Sequence, residues 1–405
     1  MQPDCRGGMD RAIMLDRLDQ QPPDALLALI KLHDADPRPD KIDLGVGVYR
    51  TSDGATPVFD CIKQAERRLV DEQDSKAYLG PEGDMGFVHA LMPHVFGTSD
   101  PARGGRIEGM QTPGGTGAVR LALALAQRAG VKRILMGTPS WPNHAQIVAD
   151  LGLELVGFNH AGADGAADMA ALRSALGAAG EGDALLLHGC CHNPTGVDYT
   201  TAEWDEIASL LAAGPVLPIL DLAYQGLGFG MEEDAYGVRT VIDAVPEALV
   251  AYSCDKNFGL YRDRVGALFV LAAEAEQLGR LMSNGHALAR ANWSMPPDHG
   301  ASAVRLALSD PALERCWTDE LDSMRARIRQ VREKLAAASN AGGVNLEPLG
   351  RQNGMFAMLP LSKEQIASLR EDHGIYMAGS GRINVAGLTM GNIDKFVSAL
   401  ADVTA

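Results

Sequence analysis

From about Phe59 onward, short apolar runs alternate with longer amphipathic stretches. The runs at 133–136, 153–158, 184–188, 216–220 and 248–253 are too short for helices and rich enough in branched residues to predict strands. Between them, the 3.6-residue spacing of apolar positions predicts helices over 118–129, 145–151, 169–176 and 202–212. Strands that alternate with helices imply right-handed crossovers and a mostly parallel sheet, with ligands bound beyond the carboxyl ends of its strands.

The texture changes on either side of this region. After Pro311 a long charged helix is predicted over 313–338, followed by a strand-like run at 354–358 and a helix over 363–372. Near the start, Pro22, Pro23 and Asp24 are a helix start signal for 25–33. Ile42 to Tyr49 then carries Gly45 and Gly47, which let the backbone approach another group closely. With no third glycine at the required spacing, they are not a dinucleotide fingerprint. The expected division is an N-terminal extension over 1–13, an arm and part of a small domain over 14–57, a large domain over 58–320 and the rest of the small domain over 321–405. Met9 and Met14 suggest an alternative start just behind the extension.

Composition narrows the function. A chain of 405 residues, 46% hydrophobic and 22% charged, has the make-up of a globular protein with a sizeable core. A formal net charge of -16 argues against nucleic acid or an anionic membrane as partner, and an anionic substrate must be drawn in by local arginines. The six cysteines are few and irregularly spaced, which predicts a reducing, cytoplasmic setting without a disulfide framework. No apolar run reaches the roughly 18 residues of a membrane span.

Four segments carry candidate chemistry. Lys256 lies just past the apolar run 248–253 and eight residues before Arg264, an arrangement suited to a Schiff-base lysine beside a phosphate anchor. Gly114-Gly115-Thr116-Gly117 before a helix supplies backbone N–H groups, a hydroxyl and a positive dipole end, although a glycine turn also starts ordinary helices. In His188-Gly189-Cys190-Cys191-His192-Asn193-Pro194-Thr195-Gly196 the strand period turns His188, Cys190 and His192 one way, but neighbours on one strand rarely close a metal shell. The segment reads better as a turn that fixes the Asn193 amide at a strand end, and no metal is expected. Asp221 ends the run 216–220, where a buried carboxylate needs a cation such as a protonated pyridine nitrogen; a helix cap or salt bridge is the alternative. Together the four point to pyridoxal phosphate.

With these residues in view, the chain resembles the aspartate and aromatic amino acid aminotransferases, pyridoxal-phosphate enzymes of fold type I, from about Leu15 to the C-terminus. The resemblance rests on collinear segments: 44–49, Tyr78-Leu79-Gly80, 112–117, 139–144, 188–196, 221–226, 256–266, Arg290-Ala291-Asn292 and 380–384. It implies an α/β fold with a mostly parallel, seven-stranded-type sheet in a large domain beside a smaller α/β domain. It further implies that Lys256 holds the cofactor and shuttles a proton, that Asp221 pairs with the ring nitrogen, and that Tyr224 and Asn193 donate to the ring oxygen. Trp141 would stack on the ring, and Gly115, Thr116, Ser253 and Arg264 would bind the phosphate, joined by Tyr78 of a partner subunit. Arg382 would clamp the substrate α-carboxylate with help from Gly47, Asn193 and the neighbouring Trp141, while Arg290, also from the partner, would meet a distal carboxylate. These roles imply a homodimer with shared active sites.

The expected activity is transfer of an amino group between L-aspartate or an aromatic L-amino acid and 2-oxoglutarate by a ping-pong mechanism. The alternatives are a strictly aspartate-specific enzyme and a different pyridoxal-phosphate reaction, β-elimination or decarboxylation, on the same fold. Departures from the aspartate pattern bear on the choice: Arg50 stands for a usual lysine, Ala77 for asparagine, Trp293 for tyrosine and Met295 for asparagine, whereas Val48, Thr56 and Thr116 follow it. Asp255 replaces a usual serine and is expected to raise the pKa of Lys256 unless it points away.

Overall fold

A computed structural model of the chain describes residues 15–20, 25–162 and 164–405. The extension over 1–13 and the start signal at 22–24 lie outside these residues. The described strands are β1 (Ile42–Asp43), β2 (Ile107–Pro113), β3 (Arg133–Thr138), β4 (Glu154–Asn159), β5 (Asp183–His188), β6 (Leu217–Leu222), β7 (Ala248–Ser253), β8 (Val265–Leu271), β9 (Asn340–Ala341), β10 (Val344–Asn345), β11 (Phe356–Met358), β12 (Ile375–Tyr376) and β13 (Arg382–Asn384). Seven of them form one sheet in the order β2-β8-β7-β6-β5-β3-β4. Its neighbours pair in parallel except that β8 runs antiparallel to both β7 and β2. The fold is α/β with a mostly parallel sheet, as expected.

The five expected strands are present, and β2 and β8 complete the sheet. The central strands are buried on both faces, so they read as continuous apolar runs. Within β5, Ala184 and Leu186 face one core with Met110, Leu121, Ile134, Ile147 and Met282. Leu185 and Leu187 face the other with Trp204, Ile207, Val238, Ile242 and Phe269. Helices Gly114–Arg128, Pro142–Asp150 and Leu278–Asn292 cover the first face, and Met85–Phe96, Thr201–Ala213 and Tyr236–Ala244 the second. The helix expected over 118–129 takes the glycines into its own first turn and begins at Gly114. No helix among the described residues is long and apolar enough to cross a membrane.

A separate apolar cluster joins Ile42 and Leu44 to Val331, Leu335, Ile366, Ile375, Ile383 and Phe396. Here β1 pairs in parallel with β12, and β11 antiparallel with β13. The long helix Pro311–Ala337 passes from one cluster to the other, with Trp317 and Leu321 in the core beneath the sheet and Val331 and Leu335 in this second one. Helix Lys363–His373 starts on a capping box between Ser362 and Gln365 and stops at the left-handed Gly374.

Arg332 on the long helix is 1% exposed and has no carboxylate partner among its hydrogen bonds. Instead it donates to the carbonyls of Leu349, Asn353, Gly354 and Phe356, and burial lowers its pKa to about 10. The guanidinium therefore fixes the turn that leads into β11. Arg332→Ala is expected to leave these carbonyls buried and unpartnered and to cost about 3 kcal/mol or more, read as a lower midpoint of denaturation. Arg332→Lys, with a single amine, should restore less than half of that loss.

Candidate active site

The site lies where the sheet delivers its strand ends. β5, β6 and β7 finish at His188, Leu222 and Ser253, and β2 finishes at Pro113 immediately before the helix that begins at Gly114. Because β8 runs the other way, its amino end lies on the same edge. Its first residues pair Val265 with Pro113 and Gly266 with Ser253, which sets Arg264 beside both Gly114 and Ser253. Gly266 is obligatory in this crossing, since a Cβ there would stand 2.6 Å from the Gly114 carbonyl carbon. A cavity of about 240 Å³ opens at this edge, lined by Gly115, Thr116, Trp141, His188, Asn193, Asp221, Ala223, Tyr224, Ser253, Asp255, Lys256 and Arg264.

One end of the cavity is an anion cup. Gly115 and Thr116 occupy the first helical turn, whose N–H groups have no intrahelical acceptor. Gly115 also packs on Ser253, where a Cβ would come within 2.8 Å of the serine Cβ. Arg264 holds the left-handed backbone at φ +57°, uncommon for a side chain of its size, and its guanidinium bonds to the Asp255 carboxylate and the Tyr261 carbonyl. Asp255 thus turns toward Arg264.

Lys256 is positioned by the residues around it. The Phe258 ring stacks on Trp317 at 4.5 Å, the Trp317 indole donates to the Asn257 carbonyl, and the Asn257 amide donates to Tyr252. The lysine amine lies 5.0 Å from the centre of the Tyr261 ring and 6.0 Å from that of Tyr224. Burial lowers its pKa; Asp255 acts in the opposite sense and Arg264 in the same one. Loss of hydration therefore prevails over the neighbouring carboxylate.

At the far end Asp221 is buried, with Oδ2 2.9 Å from His144 Nε2 and Oδ1 without a partner. Ser140 Oγ lies 3.1 Å from His144 Nδ1 and 3.0 Å from His188 Nε2. His188 is held neutral by burial, with further downward pressure from His144 and His160. Beyond it the rings of His192 and His160 stack at 3.6 Å. Asn193 donates to the Tyr224 hydroxyl at 3.2 Å while its own Oδ1 is buried without a partner, and burial pushes the Tyr224 pKa up. Trp141 stands edge-on to His144 at 5.0 Å.

Four of the expected residues line no part of this cavity. Arg382, at the start of β13, donates to the Gly45 carbonyl and lies 4.7 Å over the Phe356 ring, and its Nε is buried without a partner. It is near enough to Tyr224 for its charge to oppose the rise in that pKa. Gly47 sits in the adjoining segment, which Asn384 holds by donating to the carbonyls of Val46 and Val48. Tyr78 is 94% exposed, and Arg290 is exposed with its guanidinium bonded to Ser294 of its own helix end.

The family model described as Aminotransferase class I and II matches residues 39–400. The chain belongs to the class I and II aminotransferases. A tyrosine aminotransferase of Rhizobium meliloti (strain 1021) is 50% identical over 376 residues, covering 93% of this chain and 96% of that protein. An aspartate aminotransferase of Escherichia coli (strain K12) is 42% identical over 395 residues, covering 96% and 100%. Among solved structures, an aromatic-amino-acid aminotransferase from Burkholderia pseudomallei covalently bound to pyridoxal phosphate superposes with a TM-score of 0.92 at 33% identity, covering 97% of this chain and 100% of that one.

The support behind Asp221 carries no signal in the local sequence pattern. Ser140 and His144 lie in a segment quoted for the family resemblance, yet nothing in their spacing marked them as neighbours of Asp221. His188 and His192, considered above beside Cys190 as metal ligands, turn instead to the hydroxyls of Ser140 and Thr195. Among the described residues, the one cluster with ligand-like spacing is Cys190, Cys191 and Asp234. There the carboxylate already accepts the N–H groups of Gly226, Gly228 and Phe229, and burial pushes the Cys191 thiol up to about 12.

The buried imidazoles make the fold sensitive to acid. Burial depresses the His160 pKa to about 4, below its ordinary 6.5. The unfolded chain therefore takes up this proton first, and stability is retained above pH 6.5 and lost as pH falls toward 4. Full protonation of this ring alone corresponds to about 3 kcal/mol. Denaturation curves between pH 7 and 4.5 should show a shallower loss for His160→Gln than for the wild type, and equal slopes would refute this origin.

Proposed function

We propose that the cavity binds pyridoxal phosphate and that the chain transfers an amino group between L-aspartate or an aromatic L-amino acid and 2-oxoglutarate. The observation that carries this reading is one cavity holding a desolvated lysine amine, an anion cup and the unpartnered Oδ1 of Asp221. These groups fit the cofactor's aldehyde, phosphate and pyridine nitrogen respectively. When bound, pyridoxal phosphate supplies an electron sink and carries the amino group between the two half-reactions.

Each residue has a role that follows from its surroundings. Asp221 keeps a proton on the ring nitrogen, since a cation there meets the oxygen that lacks a partner. His144 fixes the other oxygen and so aims the carboxylate. Tyr224 and Asn193 donate to the ring oxygen, Trp141 packs on the ring and helps to enclose the substrate, and Gly115, Thr116, Ser253 and Arg264 bind the phosphate. Lys256 moves the proton between the substrate α-carbon and the cofactor's carbonyl carbon, a task that its lowered pKa favours. Arg382 meets the α-carboxylate, assisted by Gly47 and Asn193, with its unpartnered Nε as one available donor.

Tyr78 and Arg290 belong to the partner's site in a homodimer. The exposure of so large an aromatic side chain in a single subunit, and the absence of both residues from its own cavity, support that assignment. The freedom of Cys61, Cys190, Cys191, Cys254 and Cys316 from disulfides supports a cytoplasmic setting. Family membership favours transamination over β-elimination or decarboxylation, and a tyrosine-named relative at 50% identity disfavours strict aspartate specificity.

Borohydride reduction of the loaded wild type should fix the cofactor to Lys256, as read by peptide mass. Lys256→Ala should lose both label and turnover; a label on another lysine would overturn the assignment. Substrate choice separates the arginines. Every amino acid presents an α-carboxylate, so Arg382→Ala should weaken aspartate and phenylalanine alike. Arg290→Ala should lower kcat/KM for aspartate by about 100-fold or more and leave phenylalanine nearly unchanged. Parallel loss of both substrates in Arg290→Ala would instead indicate an enzyme restricted to dicarboxylates.

A further inference from the structure

We propose that Asp255 is a built-in counter-charge in the anion cup, which weakens capture of the cofactor's phosphate by sharing Arg264 with it. The inference rests on the cofactor reading above. Asp255 is 4% exposed, its Oδ2 is ion-paired with Arg264 Nη1, and its Oδ1 is buried without a hydrogen-bond partner. Both groups close over the start of the helix: a Cβ at Gly114 would lie 2.5 Å from Arg264 Nη2 and 3.1 Å from Asp255 Oδ2. An anion received by the N–H groups of that turn is therefore held against a carboxylate as well as a guanidinium.

The charges lining the cavity make the consequence specific. Lys256 and Arg264 are its cationic side chains, and Asp221 and Asp255 its acidic ones. Asp221 faces the opposite end through His144, so Asp255 is the acid that opposes an anion in the cup. A phosphate monoester brings up to two further negative charges, and repulsion between like charges a few ångströms apart remains substantial in a partly desolvated site. Arg264 retains Nη2 as a donor for the phosphate, but its charge is already partly compensated by Asp255. The carboxylate therefore lowers affinity for the phosphate while leaving recognition of the pyridine ring to Asp221, Asn193 and Tyr224. It favours a cofactor that exchanges with the free pool over one held permanently.

The test compares pyridoxal phosphate with phosphate-free pyridoxal. Apoenzyme of the wild type, Asp255→Asn and Asp255→Ser is titrated with each, and Kd is read from absorbance and from quenching of tryptophan fluorescence. Loss of Asp255 also removes an upward influence on the Lys256 pKa that acts on both aldehydes, so the neutral variants should bind pyridoxal phosphate tighter by about tenfold or more beyond any change for pyridoxal. Unchanged or weaker binding of pyridoxal phosphate in Asp255→Asn overturns the proposal, because the carboxylate would then serve to hold Arg264 for the phosphate. Equal changes for both ligands also overturn it. Asp255→Ser guards against a folding defect peculiar to the amide. A wild type that binds neither ligand overturns the cofactor reading itself, an outcome distinct from normal binding without the predicted difference.

Discussion

The antiparallel seating of β8 between β2 and β7 is the constraint on which the site depends. It brings the amino end of one strand to the edge where its neighbours present their carboxyl ends. Pairing of Val265 with Pro113 and of Gly266 with Ser253 draws the helix start, the lysine loop and Arg264 into one cup. An all-parallel arrangement would send Arg264 to the opposite edge of the sheet. The close contact between Gly266 and the Gly114 backbone leaves no room for a side chain. The site therefore tolerates little relaxation at its base.

Burial then sets the chemistry. Loss of hydration at the sheet edge lowers the pKa of the Lys256 amine and outweighs the opposing pull of Asp255, its sequence neighbour. At the other end Asp221 has one oxygen held by His144 and one without a partner. A half-satisfied buried carboxylate is costly, and a cationic ring nitrogen would relieve it. The same burial keeps His160, His188 and His192 neutral, so the support behind the site is polar without being charged.

Much of this was legible in the chain. Five apolar runs marked five strands because a strand buried on both faces has no polar side to break the run. β2 lacks that signal, since Ile107–Pro113 mixes Glu108 and Gln111 with apolar residues, while the apolar run of β8 gives no indication that it lies antiparallel to its neighbours. Lys256, Asp221, Asn193 and the glycine turn stood out because each sits at a strand end, where alternating folds bind ligands. Ser140 and His144 did not, and His188 stood out only as a metal-ligand candidate, since their contacts span 48 and 77 positions of sequence.

Periodicity and local residue type carry the alternating fold and point to strand ends as the place of the chemistry and to Lys256, Asp221 and Asn193 as its candidates. Tertiary structure decided the direction of β8, the union of the glycine turn with Arg264, the hydrogen bonds that aim Asp221 and the turning of Asp255 toward Arg264. These depend on distances between residues far apart in the chain and on which of two available partners a buried charge meets. Neither quantity is written in local pattern.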